Sequence, residues 1–237
     1  MMRLRSLLFV AWFYLTSTLL AVMYTVTLVL PRGAIVLAIR FWSSLVLIGL
    51  RVIAGIKVEV RGREYIPTGA ALIAAKHQGF LDTIAPFTFL ADPCYVLKKE
   101  LMAVPFFGWH ATKARMIPID REAHARALKA LVTDARDRLR EPRQIVIFPE
   151  GTRKAPGAPP DYKPGVAGLY RELALPCIPM ATNSGVHWPA HGYMRIPGVV
   201  VFEFLPPIPA GLKRADFMRE LQSRIETASD ALLAEGI

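Results

Sequence analysis

Residues 70–82 read AALIAAKHQGFLD, and the change of texture inside this stretch sets the fold. Ala70–Ala75 is short and wholly apolar, the composition of a strand buried on both faces. Lys76 ends the run, and His77 and Asp82 follow. On one continuous helix these two side chains would diverge by about 140°. A strand, a turn and a helix start let them converge instead. Gly79 offers turn freedom, and Asp82-Thr83 reads as a helix start with Asp82 as its cap. The helix dipole favours a negative charge there. An Asp that accepts one imidazole N–H leaves the other nitrogen of His77 free to act as a base.

Similar apolar runs recur on either side: Lys57–Val60, Tyr95–Leu97, Met116–Ile119, Gln144–Phe148, Cys177–Thr182 and Val199–Phe204. Helical patterns separate several of them. Leu128, Leu131, Val132, Ala135 and Leu139 share a face within Arg121–Arg140, and Phe217, Leu221, Ile225, Ala228 and Leu232 share another. Strands alternating with helices predict one α/β domain over residues 57–237. Its sheet should be mixed, mostly parallel, of about seven strands, and covered by helices. Residues 154–164, KAPGAPPDYKP, form a Pro-rich loop.

Residues 1–56 are of a different kind and read as an N-terminal two-helix membrane motif. Leu7–Leu30 carries no charge, and about 24 helical residues extend roughly 36 Å, enough for a bilayer core. That is longer than a signal-peptide core. Pro31, Arg32 and Gly33 break it, and a second apolar stretch, Ala34–Ile56, carries Arg40, Ser44 and Arg51 on one helical face. Such a face is costly in lipid. Two topologies follow. The pair dips into one leaflet with the arginine face toward headgroups, or the first helix spans and the second rests on the surface.

The chain has 237 residues, is 53% apolar, and carries 29 Lys plus Arg against 19 Asp plus Glu. A disordered or disulfide-stapled chain is excluded by the apolar fraction and by having only Cys94 and Cys177. The net +10 suggests an anionic partner. Half of it lies in residues 1–56, which have five Arg and no acid. No nucleic-acid signature appears, so membrane lipid or a phosphorylated substrate is the expected partner. His187 and His191 are spaced i, i+4, but Pro189 between them argues against a metal site. Trp188 and Tyr193 are expected at a membrane-facing rim or in a loop.

A second chemical stretch closes the Gln144–Phe148 strand as Phe148-Pro149-Glu150-Gly151-Thr152-Arg153. Open α/β sheets bind ligands at strand carboxyl ends. Gly151 permits close backbone approach, Thr152 offers a hydroxyl, and Arg153 a fork suited to phosphate. Equally, Glu150 and Arg153 could simply pair across a polar turn.

Together these residues carry a resemblance. His77 through Asp82 matches the HxxxxD motif of the glycerolipid acyltransferase family, and FPEGTR at 148–153 is similar to its second hallmark. Lys98-x-x-Leu101-x-x-x-Pro105-x-x-Gly108-Trp109 and Ile117-Pro118-Ile119-Asp120-Arg121 resemble two further blocks, and Leu175–Met180 resembles the last. The match covers residues 57–205 and is nearest to bacterial 1-acylglycerol-3-phosphate acyltransferases.

The resemblance implies transfer of an acyl group from acyl-CoA or acyl-carrier protein to the sn-2 hydroxyl of a lysophosphatidate. It implies His77 as general base, Asp82 orienting it, no acyl-enzyme, no metal and no cofactor. Lys98, Arg153, Thr152, Gly151 and Glu150 would form the phosphate-binding set, with Arg121 a further candidate cation. Glu150 either orients the acceptor or holds Arg153. The expected location is the bacterial inner membrane, with the catalytic domain on the cytoplasmic side. Related acyltransferases of glycerol 3-phosphate or lyso-aminolipids, and a non-enzymatic lipid-binding protein, are the competing readings.

Overall fold

The computed structural model describes residues 1–120 and 124–236, so the candidate cation Arg121 lies outside the described residues. The strands are β1 Ile56–Arg61, β2 Ala71–Ala75, β3 Pro93–Lys98, β4 Ile117–Ile119, β5 Gln144–Ile147, β6 Cys177–Thr182 and β7 Gly198–Phe204. They form one sheet in the order β1-β7-β6-β2-β5-β3-β4. Strands β6, β2, β5, β3 and β4 are mutually parallel. β7 meets β6 antiparallel and pairs parallel with β1, so these two run the opposite way. The sheet is therefore mixed and mostly parallel, as the alternating pattern implies.

Every residue of β2, β5 and β6 is buried, which is why these strands read as unbroken apolar runs. Side-chain alternation splits their contacts between two faces. Leu72, Ala74, Ile145 and Ile147 pack with Leu131, Tyr170, Phe217 and Leu221 from α4 (His124–Arg138), α5 (Gly165–Leu173) and α7 (Arg214–Ala234). Ile73, Ala75, Val146 and Met180 face the opposite layer, which includes Phe9, Ile35, Ala38 and Val46 from the N-terminal helices.

Those helices are α1 (Met2–Met23), extended by a 3₁₀ turn over Tyr24–Val29, and α2 (Arg32–Gly49). Both are long and apolar enough to cross a membrane. Only Ser6 and Phe9 of α1 are buried, whereas α2 buries a stripe of Ile35, Ala38, Ser43, Val46 and Gly49. Leu7, Leu15, Leu19, Leu37, Phe41 and Ile48 are exposed. A contiguous apolar surface of this extent suits lipid rather than water.

Two arginines of this pair, Arg32 and Arg40, face the domain, while Arg3, Arg5 and Arg51 are exposed. Arg40 donates to the carbonyls of Leu90 and Ala91, each at 2.6 Å, and so faces the domain instead of headgroups. Two carbonyls left open at the end of a turn satisfy a guanidinium fork. Arg32 pairs with Asp92 at 2.6 Å and Glu141 at 2.9 Å, and Arg5 donates to Ile53 O at 2.7 Å. Arg32 and Arg40 thus tie the helices to the domain, while Arg5 ties α1 to the end of the helix pair.

Candidate active site

The carboxyl ends of β2, β3, β5 and β6 share one edge of the sheet, and the motifs meet there. β2 delivers Lys76 and His77. The chain then runs extended through Gly79 into a 3₁₀ turn over Phe80–Thr83. Asp82 is the third residue of that turn, not its cap, and it reaches back. Its Oδ2 accepts N–H bonds from Gln78 (2.7 Å) and Gly79 (2.9 Å) and lies 3.0 Å from His77 Nδ1. These direct donors replace the helix dipole as the source of stabilisation for the carboxylate, because no α-helix begins here.

With Oδ2 already an acceptor, Nδ1 of His77 supplies the proton and Nε2 is left as the basic nitrogen. Asp82 is fully buried, while the His77 side chain keeps 14% exposure. The ring is fixed by stacking on Phe148, with centroids 3.9 Å apart and planes 16° apart. Tyr95 donates to the Asp82 carbonyl at 3.2 Å.

Gly79 is not needed for turn freedom. Its φ of −145° suits any residue. A Cβ there would stand 2.6 Å from the Trp188 carbonyl oxygen, so glycine permits a close backbone approach. Trp188 is buried between Phe9 and Phe13 of α1, not out at a rim, whereas Tyr193 is exposed.

The FPEGTR turn joins the His77 segment at two points besides the ring stack. Lys154 N–H donates to His77 O at 2.8 Å. Lys76 Nζ lies 3.1 Å from Glu150 Oε1 and 2.8 Å from Glu226 Oε2 on α7. Glu150, expected to orient the acceptor or hold Arg153, has Lys76 as its partner and is 1% exposed. Burial pushes its carboxyl above the usual range, and Lys76 opposes the shift. Tyr162 completes this group by donating to Glu226 Oε1 at 2.8 Å. Gly151 turns the chain with a φ of +67°, leaving Thr152 and Arg153 exposed.

Lys98 ends β3, the neighbour of β5, and is half-exposed with Glu100 at 3.0 Å. Arg153 Nη1 donates to Ala190 O at 3.3 Å. Among the described residues no hydrogen bond links Lys98 or Arg153 to the His77–Asp82 pair. They bring free donors to the same rim from adjacent strands.

Sequence reasoning missed Ser184, Lys76 and Glu226. Ser184 opens α6 (Ser184–His187) just past β6, and its hydroxyl donates to Asp82 Oδ1. Gly185 N–H donates to Gln78 Oε1 at 3.1 Å, so the loop after β6 clamps the loop after β2. The only available signal was the general one, that polar residues just past parallel strands converge at a shared edge. Nothing in the spacing joins positions 184 and 82, or 226 and 76.

A mostly parallel sheet thus carries the paired His77 and Asp82 at its carboxyl edge, with Lys98 and Arg153 on the rim. A family model described as Acyltransferase matches residues 57–183. The chain belongs to the acyltransferase family. It is 34% identical to the 1-acyl-sn-glycerol-3-phosphate acyltransferase of Pseudomonas aeruginosa over 83% of this chain and 77% of that one. It is 30% identical to the mouse 1-acyl-sn-glycerol-3-phosphate acyltransferase alpha over 69% of this chain and 59% of the mouse protein. The crystal structure of the 1-acyl-sn-glycerophosphate (LPA) acyltransferase PlsC from Thermotoga maritima superposes with a TM-score of 0.82 at 20% identity, covering 99% and 98% of the two chains. That likeness includes the two N-terminal helices as well as the sheet.

Proposed function

We propose that this acyltransferase moves a fatty acyl group from an acyl thioester, acyl-CoA or acyl-carrier protein, to the sn-2 hydroxyl of 1-acylglycerol 3-phosphate, giving phosphatidate. The observation that carries the reading is the His77–Asp82 pair. Asp82 is saturated by backbone and Ser184 donors, and His77 is left with a single basic nitrogen at the sheet's ligand edge.

Nε2 of His77 takes the hydroxyl proton as the oxygen attacks the thioester carbonyl. The C–S bond of the resulting tetrahedral species then breaks, and the thiolate leaves with the proton from the imidazolium. Asp82 holds the tautomer and steadies the imidazolium charge. No enzyme nucleophile is required. Ser184 sits on the far side of Asp82 from His77, so the imidazole cannot activate it. Cys94 and Cys177 are buried, and burial raises their pKa values to about 11 and about 12.

Lys98, Arg153 and Thr152 bind the acceptor phosphate in this reading, and Arg121 is a further cation for the same role. Glu150 acts through Lys76, holding the FPEGTR turn against the segment that carries His77. Gly151 supplies the turn. No metal or cofactor takes part. The exposed helix faces seat the enzyme in the bacterial inner membrane, on the cytoplasmic side where soluble thioesters are found. A membrane seat has an energetic reason, since extracting the acceptor's chain would cost about 0.8 kcal/mol per CH₂, over roughly 10 kcal/mol for a long chain.

The test is acyl transfer by the vesicle-reconstituted protein to a panel of acceptors. Lysophosphatidate should be preferred over glycerol 3-phosphate and lyso-aminolipids. Equal rates with an acceptor lacking phosphate would overturn the acceptor assignment.

A further inference from the structure

Residues 101–109, LMAVPFFGW, contain no polar or charged side chain, yet most of the stretch is on the surface. Leu101, Val104, Phe107 and Trp109 are 40%, 44%, 45% and 49% exposed. The segment is folded to a definite shape. Phe106 has φ +62° and ψ −55°, and the Phe107 N–H donates to Pro105 O at 2.7 Å across it. This is a three-residue turn that bulky residues rarely adopt. Gly108 packs so closely that a Cβ would stand 2.0 Å from Met102 O. The Phe106 and Trp109 rings meet at 5.0 Å.

The knob is continuous with the helix pair. α3 (Phe107–Lys113) packs on the Tyr24–Val29 turn and on α2, and Lys113 Nζ donates to Leu28 O at 2.8 Å. Val26 and Val29 of that turn are exposed as well. Lys98 and Lys99 border the knob on its other side, where β3 ends at the rim that carries His77.

We infer that residues 101–109 form a third membrane-seating element, inserted at the level of the lipid headgroups beside α1 and α2. The inference rests on the membrane seat proposed above. Exposed apolar and aromatic side chains match the boundary between acyl chains and headgroups, and the bordering Lys98 and Lys99 are surface cations paired with Glu100 at 3.0 Å and Asp120 at 3.4 Å. Its continuity with the exposed apolar faces of α1 and α2, which are long enough to cross a membrane, favours lipid over a soluble protein partner. Seating it there brings the rim of the sheet, with Lys98, to the depth of a phospholipid phosphate.

Buried Cys94 and Cys177 allow selective spin labelling of an introduced cysteine. Labels at Val104→Cys, Phe107→Cys, Leu15→Cys on α1 and Arg140→Cys would be read in phosphatidylglycerol–phosphatidylethanolamine vesicles. The readout is collision with oxygen against collision with a water-soluble nickel chelate. Positions 15, 104 and 107 should favour oxygen, and position 140, whose side chain is 83% exposed, should favour the chelate. Aqueous behaviour at 104 and 107 with lipid behaviour at 15 would overturn this inference and leave the helix anchor standing. Aqueous behaviour at 15 too would overturn both. The double variant Val104→Ser/Phe107→Ser should lower vesicle binding about tenfold or more, with its rate on a short-chain, water-soluble acceptor unchanged. Unchanged vesicle binding would contradict the inference.

Discussion

The hydroxyl of Ser184 donates to Oδ1 of Asp82, and both side chains are fully buried. With Oδ2 occupied by His77 and two backbone N–H groups, this bond completes the carboxylate's coordination. Ser184 therefore helps fix the direction in which Asp82 holds the imidazole. Ser184→Ala should leave a buried acceptor unpaired at a cost of about 1–3 kcal/mol. A thermal melt should fall by roughly 2–4 °C per kcal/mol, and kcat should drop with KM little changed. A fall in KM-dependent binding alone, with kcat intact, would remove Ser184 from this role.

Lys76 bridges two carboxylates, and its side chain is 3% exposed. Replacing it with Met leaves Glu150 buried without its cation, a loss of about 3–5 kcal/mol. Burial already raises the Glu150 carboxyl. A raised carboxyl supports the fold fully below its unfolded pKa and loses that support as pH rises through its folded value. The deficit of Lys76→Met should therefore shrink at about pH 5 relative to about pH 8, and Lys76→Met/Glu150→Gln should recover part of it. Denaturant melts at the two pH values check both statements.

Burial also accounts for the thiols. With values of about 11 for Cys94 and about 12 for Cys177, roughly one thiol in 10³ and one in 10⁴ is ionised at pH 8. Neither should react with iodoacetamide in the folded protein over hours, and both should react once denatured. Rapid native labelling with loss of transfer would reopen a thiol mechanism.

Gly79→Ala places a methyl group against the Trp188 carbonyl, a contact of 2.6 Å. The turn carrying His77 and Asp82 would have to move away from the loop after β6. Activity should fall by more than stability does, read as kcat beside the melting temperature.

β2, β5 and β6 were legible because strands buried throughout leave almost only apolar residues to read, whereas β1, with Lys57, Glu59 and Arg61, is largely half-exposed and left a fainter run. β2 and β6 appear almost residue for residue. The His77–Asp82 pair was legible because a strand and a tight turn suffice to bring them together. The reversal of β1 and β7 was not, since pairing direction leaves no mark in a strand's own composition. The short helix α5 follows a Pro-rich loop and is too brief for periodicity to reveal. Arg40 was read from helix geometry alone as facing headgroups, but its partners, Leu90 and Ala91, are carbonyls from a distant turn. Ser184, Lys76 and Glu226 were hidden for the same reason: their partners are set by the sheet order, not by local spacing.

The central claim is that His77 is the base for direct transfer of the acyl group to a lysophosphatidate hydroxyl. The most direct measurement is the turnover of vesicle-reconstituted His77→Ala with acyl thioester and lysophosphatidate, beside the unaltered protein and with folding checked by thermal melt. Loss of the base should lower kcat by about 10²–10⁴ while a cooperative melting transition, shifted by no more than a few degrees, shows the variant folded. Transfer at the original rate by the folded variant would contradict the account.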